Sequence, residues 1–242
     1  MGQAPSQVDL ETRVEDPPGG ARPRGLALVA HGRLGGTMDQ PPVRRLAEYL
    51  RDARRLRVVT WNARGVGASA GGNEWSSPAV WTGGPSVDDY NRLLRESMAK
   101  FLQDFPDASG ADLFICGARA APGGLQGYSA GAVFAGSARP AAELGARFAW
   151  PRYVLVSFPV DLLPAMALGL TGRYLRAVEA LAQGHGWEGL PPEFAGSEPG
   201  VAGVLTNRRR VLRQVVVPAT DHPWNGTAHR IVEEVDSWLA GT

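Results

Sequence analysis

Short apolar runs alternate along this chain with stretches whose apolar residues recur every three or four positions. The runs lie at 25–30, 57–61, 112–116, 153–158 and 214–217. They lack polar alternation, so each is predicted to be a strand covered on both faces. Val58 and Val59 are β-branched, which suits an extended backbone. Between the runs the period changes. Pro41 and Pro42 open a helix with Asp39 as its expected N-cap, and Val43, Leu46, Ala47 and Leu50 share one face. Residues 88–105 repeat the pattern through Tyr90, Leu94, Phe101 and Leu102. Helices are also predicted over 130–145, 162–183 and 227–240, the last with Ile231, Val235, Trp238 and Leu239 inward. Strand–helix alternation of this kind predicts an α/β fold, a mostly parallel central sheet with helices on both faces.

The first 23 residues break this rhythm. They are polar and rich in Pro, Gly and charge, and are read as a disordered N-terminal tail with at most a short strand near residues 8–14. The remaining residues, 24–242, form one domain, an ordinary length for a single α/β unit. The 31 Gly and 19 Pro predict many turns.

Charge and cysteine content narrow the function classes. Lys and Arg number 25 against 24 Asp and Glu, a net charge of +1, which gives no cationic face for nucleic acid. Lys100 is the sole lysine, a bias of composition rather than a binding surface. A single cysteine, Cys116, excludes an internal disulfide and a cysteine-based zinc site. No Walker A sequence or metal-ligand cluster appears, and 65–71 misses the dinucleotide fingerprint, so no cofactor and no metal are expected. The longest apolar stretch, 153–170, is interrupted by Pro159, Asp161 and Pro164, which argues against a membrane span. The expected location is the cytoplasm. The sequence leaves the oligomeric state open.

Gly127-Tyr128-Ser129-Ala130-Gly131 fits the G-x-S-x-G nucleophile elbow. In that turn the neighbours of the serine must be small so that the chain can double back. Ser129 then projects its hydroxyl over the next helix, and the Ala130 N–H points at a developing oxyanion. The same five residues also read as a Gly-rich turn before an Ala-rich helix. Other chemistry-bearing segments sit after predicted strands. His31 to Asp39 follows the first, Asn62 to Ser69 the second, and Asp221-His222-Pro223-Trp224 comes after the last.

These blocks together resemble the α/β-hydrolase superfamily, in particular a small group of lid-poor serine hydrolases. The resemblance is carried by His31-Gly32, Gly35-Gly36-Thr37-Met38-Asp39, Asn62 to Ser69 and Gly127 to Gly131, and runs from about Gly25 to the C-terminus. It implies a serine hydrolase acting on a small acyl substrate, with Ser129 as nucleophile and His222 as general base. It also implies an oxyanion hole made by the backbone N–H groups of Ala130 and of Arg33 or Leu34. His31 then has a packing role, and His185 and His229 lie outside the chemistry.

The chain departs from that pattern in two places. After residues 113–116 the elbow is due at Cys116-Gly117, but residues 117–126 intervene before Gly127. Pro122 and the paired glycines exclude a central strand there. The segment either bulges out and leaves Ser129 in place or displaces it. The acid is also missing from its usual position, since no Asp occurs between Leu162 and Thr220. Asp161 is the best substitute, and it is equally well read as the cap of the helix that follows. Glu198 is the second choice. Arg64 is read either as an anion-binding group or as a pin for its own loop. Trp75 and Trp81 either line an apolar pocket or anchor their loop, and residues 162–183 are either a partial lid or core. A scaffold that binds without turnover is the rival reading of the whole chain.

Overall fold

The computed structural model describes residues 8–32, 36–71, 84–118, 130–149, 151–156 and 228–240. Five strands form one sheet: β1 (Thr12–Glu15), β2 (Gly25–Ala30), β3 (Leu56–Trp61), β4 (Asp112–Gly117) and β5 (Arg152–Leu155). Their order is β1-β3-β2-β4-β5. β2, β3, β4 and β5 run parallel, and β1 is antiparallel at the edge. All six residues of β2 are buried, as expected for the central strand of a sheet covered on both sides.

Helices α1 (Pro41–Asp52), α2 (Gly84–Asp104), α3 (Ala130–Ser137), α4 (Ala142–Gly145) and α5 (His229–Ala240) cover the two faces. Val43, Leu46 and Leu50 of α1 meet Ile231, Val235 and Leu239 of α5 over Ala27 and Val29. On the other face Tyr90 and Leu94 of α2 and Phe134 of α3 pack on Leu26, Leu28 and Trp61. Alternate residues of β2 thus feed two separate clusters, the period-2 geometry of a strand. Each fully buried Leu in them contributes about 1.5–3 kcal/mol. The Tyr90 hydroxyl reaches into the sheet, donating to the Leu28 carbonyl at 2.8 Å and accepting from the Cys116 N–H at 3.1 Å.

Three sequence expectations need correction. Residues 8–23 are no disordered tail: β1 pairs with β3 over its full length, and Leu10 is buried. Thr12 and Val14 of the strand face solvent, and its half-buried side is held by ion pairs, Arg13 with Asp39 and Glu15 with Arg51. Asp16 and Arg22 extend the seam, to Arg57 and Asp107. Asp39 is not the cap of α1. Gln40 holds that place without a side-chain bond to the helix end, and the Asp39 carboxylate takes Arg13 instead. The helix expected over 130–145 is two, because Pro140 cannot donate to the ladder and its ring would clash with the preceding turn. The Arg139 N–H leaves the helix for Asn91 Oδ1 at 2.8 Å.

The helix expected over 162–183 and the strand expected over 214–217 lie outside the described residues. Among the described residues no helix is long and apolar enough to cross a membrane.

Candidate functional site

The parallel strands all end on the same edge, at Ala30, Trp61, Gly117 and Leu155. In open parallel sheets that edge collects the ligand-facing loops. Two kinds of construction meet there.

The first is a backbone crossing. α3 begins at Ala130 and its first turn lies directly on the end of β4. A Cβ placed on Gly117 would sit 2.0 Å from the Gly131 carbonyl oxygen, and one on Gly131 would sit 2.5 Å from the His31 carbonyl oxygen. No real side chain fits at such distances, so both glycines are required by contact rather than by backbone angle. The Ala118 N–H donates to the Ala30 carbonyl at 2.9 Å, tying β4 to β2 at the same level. The first N–H groups of a helix have no partner inside it and carry its partial positive charge. The start of α3 therefore presents an electropositive backbone at the sheet edge, where sequence reading expects the Ala130 N–H to meet an oxyanion. The glycine that the structure sets against Gly131 is Gly117, where β4 ends. The sequence motif had assigned Gly127 as the small residue before the nucleophile, and Gly127 lies outside the described residues.

The second construction is polar and links the loops after β2 and β3. His31, 2% exposed, accepts the Ala63 N–H on Nε2 at 2.9 Å. Its proton is therefore on Nδ1, which faces the Gly32 carbonyl at 2.5 Å. Both ring nitrogens are committed to backbone, so His31 is a clamp and not a base. Its packing partner is Trp61, with ring centroids 6.4 Å apart. Gly36 closes the loop against Gly32, where a Cβ would come within 1.9 Å of the carbonyl oxygen.

Asn62 returns the favour from the neighbouring loop. Its Oδ1 accepts the Met38 N–H at 2.8 Å, and its Nδ2 donates to Glu11 Oε2 at 2.7 Å. The same Glu11 oxygen accepts the Ala68 N–H at 2.8 Å. These two donors hold the Glu11 carboxyl below the usual carboxylate range, the Ala68 N–H contributing most. Ser69 Oγ bridges the backbone of both partners, donating to the Asn62 carbonyl at 2.7 Å and accepting the Glu11 N–H at 2.8 Å. Gly67, at φ +57°, makes room: a Cβ there would lie 2.3 Å from Glu11 Oε2 and 2.5 Å from Asn62 Nδ2.

Arg64, weighed as an anion-binding residue, is the pin of its loop. It clasps the buried Asp89 of α2 in a two-point contact at 2.6 and 2.9 Å. Arg92 approaches the same carboxylate at 3.9 Å and donates to the Val8 carbonyl. The Cys116 thiol is fully enclosed, and burial pushes it well above the ordinary thiol range, which removes it as a nucleophile.

Of the residues the sequence nominates for chemistry, Ala130 is described, as the first residue of α3. Ser129, His222, Asp161 and Arg33 lie outside the described residues, as do Glu198, His185, Trp75 and Trp81. His229 is described and exposed on α5. Sequence reasoning missed Glu11, which sat in a presumed tail. Asn62 and Ser69 bound a block of the sequence that carries no role by itself. Among the described residues no group of three His, Cys, Asp or Glu gathers as a metal site.

No protein-family model matches this chain, and no curated protein matches it. Solved structures do. Est1E from Butyrivibrio proteoclasticus, with ferulic acid bound, aligns over 96% of this chain and 95% of its own, at 14% identity and a TM-score of 0.52. A candidate α/β hydrolase of unknown function from Agrobacterium tumefaciens covers 96% of this chain and 90% of its own, at 14% identity and a TM-score of 0.48. A lidless α/β serine hydrolase from Xanthomonas campestris covers 79% and 100%, at 15% identity and a TM-score of 0.36. At such identities the likeness concerns the path of the backbone, and of these three the Est1E alignment carries it. With strand order, helix placement and that alignment in agreement, the chain has the α/β-hydrolase fold.

Proposed function

We propose that this protein is a serine hydrolase that cleaves a carboxylic ester or a related acyl bond. Ser129 Oγ attacks the acyl carbon as His222 takes its proton. The tetrahedral oxyanion is received by the N–H groups of Ala130 and Arg33. The C–O bond to the leaving group then breaks, and His222 returns the proton to the departing oxygen. Water repeats the sequence on the acyl-enzyme and frees the acid. Asp161 orients the imidazole throughout. No cofactor enters these steps.

The observation that carries this reading is the crossing of α3 over β4. Gly117 and Gly131 are stripped of side chains at the level where Ala130 opens the helix, with the His31 carbonyl beneath. Such close strand–helix contact is what a nucleophile elbow needs, and Ser129 precedes Ala130 in the chain.

A second reading, a scaffold that binds without turnover, draws support from the chain between Gly117 and Ala130, which a short elbow does not need, and from the absence of Asp over 162–220. Labelling with a fluorophosphonate probe separates the two. Wild type is expected to label and Ser129→Ala to remain unlabelled. A folded wild-type protein that resists the probe would remove the hydrolase reading and leave the scaffold.

A further inference from the structure

We propose that Glu11 is a positioning residue for the loop that follows β2, acting through the side chain of Asn62. This rests on the hydrolase reading above, in which that loop supplies half of the oxyanion hole.

The route is short. An amide side chain can present either its oxygen or its nitrogen to a neighbour. Met38 offers an N–H, so it needs the Asn62 oxygen. The Glu11 carboxylate accepts and cannot donate, so it takes the Asn62 nitrogen and excludes the flipped amide. One carboxylate thus selects the orientation in which Asn62 holds Met38. Asn62 is 3% exposed, so water does not readily substitute for a lost partner.

Three further features fit this role. The Ala68 N–H fixes the same carboxylate oxygen from the other side. The site is shaped around the pair, since any side chain on Gly67 would occupy the contact between Glu11 and Asn62. The backbone of residues 9–11 is anchored without the carboxylate, through the Asn62 N–H on the Glu11 carbonyl, the Ala70 N–H on the Asp9 carbonyl and Ser69 Oγ. The side chain is therefore not needed to dock the segment. Its effect is directed at Asn62, and from there at a loop far away in sequence.

The test uses the full chain and Glu11→Ala, Glu11→Gln and Glu15→Gln. Glu15 sits on β1 and pairs with Arg51, away from Asn62. Two quantities are read: the rate of fluorophosphonate labelling at saturating folded protein, and amide hydrogen exchange at Met38. Glu11→Ala is expected to slow labelling about tenfold or more, the scale of a misplaced site group. It should also speed Met38 exchange by about tenfold while β2 and β4 amides keep their protection. Glu11→Gln keeps an acceptor oxygen of equal reach but adds a donor that no longer excludes the flipped amide, so its labelling rate and Met38 exchange should both fall between those of Glu11→Ala and wild type. A Glu11→Gln variant indistinguishable from wild type in both overturns the selection of the amide by the carboxylate. Glu15→Gln should match wild type in both. Unchanged Met38 exchange in Glu11→Ala overturns the route through Asn62. Faster Met38 exchange with unchanged labelling overturns its bearing on the chemistry. If wild type itself does not label, the hydrolase reading fails on its own, and Met38 exchange still decides whether Glu11 holds the loop.

Discussion

The two halves of the sheet edge are built on opposite principles. After β2 and β3, position is set by side chains: His31 reaches Ala63, Asn62 reaches Met38, and Glu11 steadies Asn62. Where β4 meets α3, position is set by their absence, with Gly117 and Gly131 letting two backbones touch. A hydrogen-bonded loop pair can lose one link and keep the rest. A backbone crossing has no partial form, because a methyl group either fits or forces the elements apart. The two halves should therefore fail differently.

The largest effect is expected at the crossing. In Gly117→Ala the new Cβ meets backbone oxygen, which cannot rotate away. Overpacking of this kind costs about 3 kcal/mol. For a chain of this length that is a fall in Tm of roughly 10 °C. The displaced α3 should also abolish probe labelling. Thermal unfolding and labelling of the variant check both parts, and a near-wild-type Tm would break the contrast between the halves.

His31→Ala should hurt less. It leaves the Ala63 N–H and the Gly32 carbonyl without the imidazole, at a cost of about 2 kcal/mol, while Asn62 still joins the two loops. The Tm should fall by roughly 5 °C, and labelling should persist at a reduced rate. If His31→Ala is as damaging as Gly117→Ala, the imidazole is the sole link between the loops and the picture of redundant ties is wrong.

What could be read from the sequence follows the same division. The central strands were legible because burial on both faces leaves uninterrupted apolar runs, as in β2. α1 was legible from Pro41 and its apolar face. Gly131 was legible because a local motif contains it, and Gly117 was visible as the point where an elbow was due. β1 was legible only in part: the short strand near residues 8–14 overlaps it at Thr12–Val14, but Thr-Arg-Val-Glu alternates in the manner of solvated chain, and its place in the sheet comes from β3 and from Arg51 and Asp39. Glu11 was hidden for a related reason. Its meaning lies in Asn62 and Ala68, distant partners that no local pattern announces. Asp39 misled because a good capping residue was drawn to a nearer charge, that of Arg13. Ser129, His222, Asp161 and Arg33 were nominated from motif and resemblance, and probe labelling is the measurement that tests them.

The smallest effect sharpens the polar half most. Hydrogen bonds from Ala68 and Asn62 lower the Glu11 carboxyl below its ordinary value of 4.5, against opposition from burial and from Asp39. A depressed carboxyl stabilises the fold above its unfolded pKa, and that contribution is lost as pH falls through the folded value. Glu11→Gln imitates the protonated acid at every pH. Denaturant unfolding should therefore show wild type more stable than Glu11→Gln at about pH 7, with the gap closing as pH falls below the ordinary value of 4.5 and wild type itself takes up the proton. The group is partly open to solvent, so the gap should also narrow with added salt. A gap that persists unchanged as pH falls through the whole range below the ordinary value would show that the shape of the side chain matters there and its charge does not. The amide of Asn62 would then be held by fit alone, and the polar half of the edge would resemble the glycine crossing more than it differs from it.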